Sequence, residues 1–308
     1  MALTEKQRQD VLDVLERTSF RRRAGSNVTI PDYPQEYYDF LKLCEEEIIE
    51  RLSDGYPYKI YIYRAKNRTE NCPVHINIHG GGFIGPHAKC DSMYSAFLAN
   101  KIQGIVVDLD YTTSQIAPYP VALNQCYDAA QYTFENCERW GADPKRVSMG
   151  GYSAGAELTA IIALKAGQTK DFQLCLQVLG YPPLDHVTHP LYKKEGYKRV
   201  LPAERELAFA ELYFDGDTEA AASPLGGSPL NATDDMLAVL PRTLIISANG
   251  CNFRFENEEY AERLASVGVE VTVKRFMQSG HGFIPHFAEG WEEAADLIVR
   301  SIKSASLA

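Results

Sequence analysis

At 308 residues, with 45% hydrophobic and 23% charged residues, the chain is long enough to bury a sizeable core and lacks the composition of a disordered tail. Its net charge of −10 argues against nucleic acid or an anionic membrane surface as partner, and no apolar run approaches a membrane span. Seven scattered cysteines (44, 72, 90, 126, 137, 175 and 251) form no C-x-x-C pair and read as reduced thiols in a cytoplasmic protein.

The first pattern is helical. Residues 4–17 place Val11, Leu12, Val14 and Leu15 on one stripe, with no apolar leader region in this charged segment. The run Arg21-Arg22-Arg23 reads as a solvated turn, and the N-x-[ST] sequons at Asn27, Asn67 and Asn231 as accidental. Residues 34–52 repeat the helical period with Tyr37, Phe40, Leu41, Cys44, Ile48 and Ile49.

Strand-like runs then alternate with helices. "YKIYIYRA" (58–65) and "VHINIH" (74–79) lead into "HGGGF" (79–83). Three consecutive glycines let bare backbone approach a substrate oxygen, so the N–H groups of Gly81 and Gly82 are candidate oxyanion donors. A simple turn or a phosphate cradle has the same local pattern. The strand "GIVVDLDY" (104–111) and a helix around 120–139 precede "RVSMGGY" (146–152).

There "GGYSAGAEL" (150–158) sets a G-x-S-x-G between a strand and a helix, 154–166. That context suits a sharp turn holding the Ser153 hydroxyl out above the sheet, with the Ala154 N–H at the helix start facing a developing oxyanion. The bland reading is a Gly-rich turn with an ordinary serine; the upstream triple-Gly loop weighs against it. After "LCLQVLGY" (174–181) the rhythm breaks. Residues 185–240 hold a helix-like "PAERELAFAELYF" and a Gly/Pro/Ser-rich "SPLGGSPLN", an insertion above the sheet. His186 and His189 form H-x-x-H without the carboxylate pattern of a zinc protease, so no metal and no cofactor are expected.

"RTLIISA" (242–248), a helix at 256–267 and "VEVTVKRF" (269–276) bring the chain to "SGHGF" (279–283), before a last helix at 287–304. His281 follows the final strand and is third in the order serine, acid, histidine, which makes it the candidate general base for Ser153. Apolar strands separated by helices predict a mostly parallel central sheet with helices on both faces.

Together these motifs resemble the hormone-sensitive-lipase-like carboxylesterase family of α/β-hydrolases. "HGGGF", "GADPKRVSMGGYSAG", "YPPLD", "SPL" and "EEYAERLASVGVEV" carry the likeness over roughly residues 58–305. The resemblance implies an α/β-hydrolase domain over 58–308. It also implies a helical cap built from the insertion at about 185–240 and N-terminal helices in 1–57. Tyr152 and Ala156 depart from the family's usual Asp and Gly around the nucleophile.

The larger departure lies in "SANGCNFRFENEEYA" (247–261). Anchored on Arg254, Glu256, Tyr260 and Ala261, the family's catalytic aspartate falls on Cys251, with Asn252 beside it. In serine proteases, replacing that acid by Asn lowers kcat by about 10⁴, and a neutral thiol offers no full charge either. Asp185, past an earlier strand end, and Glu256, at the start of the next helix, are possible substitute acids.

Three functions remain open on this reading. One is a hydrolase of small-molecule carboxylic esters or lactones. Another is a non-hydrolytic enzyme running a cyclisation, condensation or elimination. The third is a small-molecule receptor resembling the plant gibberellin receptors, which lack the histidine this chain keeps.

Overall fold

The computed structural model describes residues 2–18, 33–194 and 202–307. The Arg21–Arg23 run, Asn27 and residues 195–201 of the insertion lie outside the described residues.

An eight-stranded sheet organises the chain in the order β1-β2-β4-β3-β5-β6-β7-β8. The strands are β1 (Cys44–Ser53), β2 (Tyr56–Ala65), β3 (Cys72–Ile78), β4 (Ile105–Asp110), β5 (Ala142–Tyr152), β6 (Leu176–Gly180), β7 (Arg242–Gly250) and β8 (Val271–Gly280). Pairing is antiparallel at β1/β2 and β2/β4, and parallel from β4 through β3 to β8. The mostly parallel sheet predicted from alternating strands and helices is therefore present.

Side-chain alternation splits the core into two layers. Ile60, Ile62, Ile76, Ile78, Val107 and Leu109 face helices Val121–Asn136 and Ala154–Thr169. On the other face Tyr63, Val106, Val178 and Ile246 pack against helices Lys89–Ile102 and Trp291–Ser304. β3 is buried along its whole length, as a central parallel strand covered on both sides must be.

The helix expected over 34–52 is a correction. Only Gln35–Asp39 is α-helical, followed by a 3₁₀ turn to Leu43, and Cys44–Ser53 is the edge strand β1. Its ten residues pair in register with β2 from Cys44↔Ala65 to Ser53↔Tyr56. Glutamates 45–47 and the apolar spacing favour a helix locally, but a ten-residue ladder outweighs that preference. Asp54 and Gly55, both at positive φ (53° and 80°), close the hairpin, and this Asp-Gly pair was the available signal.

Helix Lys89–Ile102 also escaped the sequence reading. It is buried on nearly every side and carries no amphipathic stripe. The helix expected in the insertion forms as Ala203–Phe214. Against it lies the N-terminal helix Glu5–Arg17, through Val11 and Leu15 on Ala208 and Leu212. Arg8 donates to the Ser114 carbonyl (2.7 Å) and Arg205 to the Leu15 carbonyl (2.6 Å).

Candidate active site

The turn between β5 and the helix Ala154–Thr169 puts Ser153 at φ 54°, ψ −123°, a strained conformation for a residue bearing Cβ. Two glycines make it possible. A Cβ on Gly155 would stand 2.1 Å from the Ile78 carbonyl oxygen, and one on Gly151 2.4 Å from the Gly155 backbone. Ser153 N–H is held by the Gly180 carbonyl at 2.8 Å, which ties the turn to β6. The two departures from the family pattern are packing residues: Ala156 is fully buried, and Tyr152 fits edge-on to Tyr94 at 5.5 Å.

The "HGGGF" loop leaves β3 directly beside this turn. A Cβ on Gly80 would lie 2.7 Å from the Tyr152 carbonyl oxygen, with Ser153 Cβ at 3.3 Å, so only glycine lets the loop approach so closely. Gly81 and Gly82 adopt φ 121° and 61°, and the Phe209 ring of the insertion lies against Gly82. The hydrogen bonds of the described residues leave the N–H groups of Gly81, Gly82 and Ala154 without a protein acceptor. Ala154 opens a sixteen-residue helix, whose dipole favours negative charge at that end.

His281 enters from the loop after β8. Its Nε2 lies 2.8 Å from Ser153 Oγ, and its Nδ1 lies 3.1 Å from Cys251 Sγ. Tyr181 and Phe253 hold the imidazole edge-on, at centroid separations of 5.0 and 5.5 Å. Neither aromatic stands out in sequence, because their role depends on loops that only tertiary structure brings together. Burial, with His286 nearby, pushes the His281 pKa down to about 4, so the ring is neutral at pH 7.

Cys251 is 1% exposed and accepts the Phe253 backbone N–H at 3.4 Å. Burial raises its thiol well above the ordinary value, with Glu256 and Glu206 adding to the rise, so it too is neutral. An ionised carboxylate only accepts and would force the proton of a neutral imidazole onto Nδ1, leaving Nε2 basic. A thiol can donate as well as accept. It therefore permits both tautomers.

Asp185 and Glu256, the possible substitute acids, make their hydrogen bonds to groups other than the imidazole, whose Nδ1 meets Cys251. Asp185 accepts the N–H groups of Val187 and Thr188 at 2.8 and 3.0 Å, an ordinary loop closure. Glu256 accepts Leu184 N–H at 2.8 Å and Lys193 Nζ at 3.3 Å. Lys193 also bonds Glu206 of helix Ala203–Phe214 at 3.0 Å, and Glu206 receives the Asn252 amide at 3.4 Å. The carboxylates thus join the insertion to the Cys251 loop. His186 pairs with Glu157 at 3.1 Å, as a structural contact. Among the described residues no cluster of His, Cys, Asp and Glu could hold a metal ion.

A strained serine on a strand–helix turn, an imidazole at its oxygen and three free N–H groups alongside are the parts of an acyl-transfer site. The sequence pattern of a family described by its alpha/beta hydrolase fold matches residues 75–285, and the chain belongs to that family. Among its relatives is the carboxylesterase NlhH of Mycobacterium tuberculosis, 28% identical over 251 residues, 79% of this chain and 77% of that one. A putative alpha/beta hydrolase of Acanthamoeba polyphaga mimivirus is 24% identical over 72% of this chain, which spans just under two thirds (64%) of that relative. Among solved structures, the hyperthermophilic esterase from Pyrobaculum calidifontis matches with a TM-score of 0.77 and 28% identity over 99% of each chain. The resemblance to carboxylesterase-like hydrolases read from "HGGGF" and "GYSAG" is borne out.

Proposed function

We propose that the protein is a serine hydrolase of small-molecule carboxylic esters or lactones in which Cys251 stands where the catalytic aspartate usually lies. The observation that carries this reading is the 2.8 Å contact between Ser153 Oγ and His281 Nε2 on a strained elbow beside a glycine loop. His281 takes the Ser153 proton as Oγ attacks the carbonyl carbon. Gly81, Gly82 and Ala154 then receive the oxyanion. Collapse expels the alcohol, which takes the proton from His281. Water then attacks the acyl carbon as His281 takes its proton, and that proton returns to Ser153 Oγ as the acid leaves.

Helix Glu5–Arg17 and the insertion form a cap over this site, a role supported by their mutual packing and by Phe209 lying against Gly82. The seven unpaired thiols support a reducing, cytoplasmic setting, and among the described residues no helix is long and apolar enough to cross a membrane.

Cys251 at Nδ1 also favours a second reading, in which a weakly assisted serine–histidine pair serves a non-hydrolytic step such as a cyclisation or elimination. A fluorophosphonate probe and a p-nitrophenyl acetate assay separate the two. Rapid labelling and turnover, both abolished in Ser153→Ala, are expected of the hydrolase. Labelling slower by orders of magnitude, without ester turnover, points to the second reading.

A further inference from the structure

The surroundings of His281 bear on which esters the site can cleave, given the serine acyl transfer proposed above. The group bonded to Nδ1 is the Cys251 thiol, and the nearby carboxylates are engaged elsewhere. Glu256 is tied to Leu184 N–H and Lys193, Glu206 to Lys193 and Asn252, and Asp185 to two backbone N–H groups. Among the described residues, no carboxylate is therefore hydrogen-bonded to the imidazole. Phe253 and Tyr181, which flank it in T-shaped contacts, bring no compensating anion.

That matters at two moments. As the bond from Ser153 Oγ to the carbonyl carbon forms, the carbonyl π pair moves to oxygen and the hydroxyl proton passes to Nε2. As the intermediate collapses, the bond to the leaving oxygen breaks, and that oxygen departs with the electron pair. The Nε2 proton neutralises it. A carboxylate at Nδ1 stabilises the imidazolium that stores this proton between the two events, and a neutral thiol stabilises it far less. Attack slows for every ester. Cleavage suffers most where the leaving oxygen most needs a proton, because protonation then lags behind bond breaking.

We propose that the Cys251–His281–Ser153 arrangement selects esters with an acidic, phenol-type leaving group, aryl or enol esters, over esters of alkyl alcohols. A phenolate is the weakly basic anion of an acid with a pKa of about 10 and can depart unprotonated, whereas an alkoxide is far more basic and needs the Nε2 proton as it leaves. The oxyanion donors Gly81, Gly82 and Ala154 act on the carbonyl oxygen and serve both kinds of ester equally. Cys251 is a positioning residue in this scheme: it touches the histidine and not the ester.

The test is a leaving-group series of acetate esters, from nitrophenyl through phenyl to ethyl, with kcat/KM measured for the wild type and Cys251→Asp. Log kcat/KM should fall more steeply with leaving-group pKa in the wild type. Cys251→Asp should gain at least tenfold more on ethyl acetate than on p-nitrophenyl acetate. If the aspartate variant fails to fold, Cys251→Gly with added formate supplies a diffusible carboxylate, and rescue should be greatest for the alkyl ester. Parallel slopes in wild type and variant, or rescue equal across the series, overturn the selectivity while leaving acyl transfer intact. Fluorophosphonate that fails to label Ser153 in folded wild-type protein overturns the acyl-transfer reading itself.

Discussion

His281 meets an oxygen through Nε2 and a sulfur through Nδ1, so its pH behaviour differs from that of a histidine braced by a carboxylate. Only the neutral ring can take the Ser153 proton, and burial pushes its pKa down to about 4. The acid limb of the kcat/KM profile should accordingly fall near pH 4. In Cys251→Asp the new negative charge favours imidazolium, so the limb should move upward by a unit or more. A limb near pH 6.5 in the wild type, unmoved in the variant, would show that another residue governs the profile. Ser153 and His281 were legible in sequence because their motifs encode backbone geometry: glycines where a Cβ would collide, and a histidine just past the last strand. Cys251 was legible by its spacing from Tyr260 and Ala261. Asp185, past a strand end, and Glu256, at a helix start, accept backbone N–H groups instead, and a position at the end of an element does not reveal which N–H a carboxylate will accept.

At the scale of elements, the sequence revealed the strands with clear alternation and lost those whose local pattern contradicted their setting. β1 reads as a helix until its pairing with β2 is known, and Lys89–Ile102 is buried too evenly to show a stripe. The contact between Glu5–Arg17 and Ala203–Phe214 is equally invisible, since it joins segments almost 200 residues apart. Leu15 is 4% exposed in that contact, and Leu15→Ala should destabilise it by about 2–3 kcal/mol. If the two helices cap the site, KM in the variant should rise several-fold while the unfolding transition of the sheet shifts little. A large loss of Tm with unchanged KM would place the helix in the core instead. The Lys193 cluster gives a second measurable effect. Burial raises Glu256 to about 7 from an ordinary 4.5, so the folded state holds an extra proton between those values. Its contribution is greatest below pH 4.5 and is lost as pH climbs to 7, at up to about 1.4 kcal/mol per unit. Glu256→Gln, which can still accept Leu184 N–H, should flatten that part of the urea-stability profile. An unchanged slope would assign it to other groups.

Across the whole molecule the candidate site gathers at the C-terminal ends of β3, β5, β7 and β8, where the parallel strands release their loops. That much follows from strand order and was implicit in the alternation of strands and helices. The position of each strand in the sheet was not, and it carries a mechanical consequence. β5, which delivers Ser153, is paired on both sides, whereas among the described residues β8, which delivers His281, pairs only with β7 at the sheet's edge. Edge elements open at lower free energy than central ones. The two halves of the proposed catalytic pair are thus anchored in regions of unequal stiffness, and mild denaturant should detach His281 before it disturbs Ser153. In a urea titration, p-nitrophenyl acetate turnover should vanish at a lower concentration than the far-UV circular dichroism signal, and amides of β8 should exchange before those of β5. Coincident midpoints would mean that edge and centre unfold as one. If they separate, the protein has a graded failure mode, with a serine still in place on its elbow and a histidine already swung away on a fraying strand.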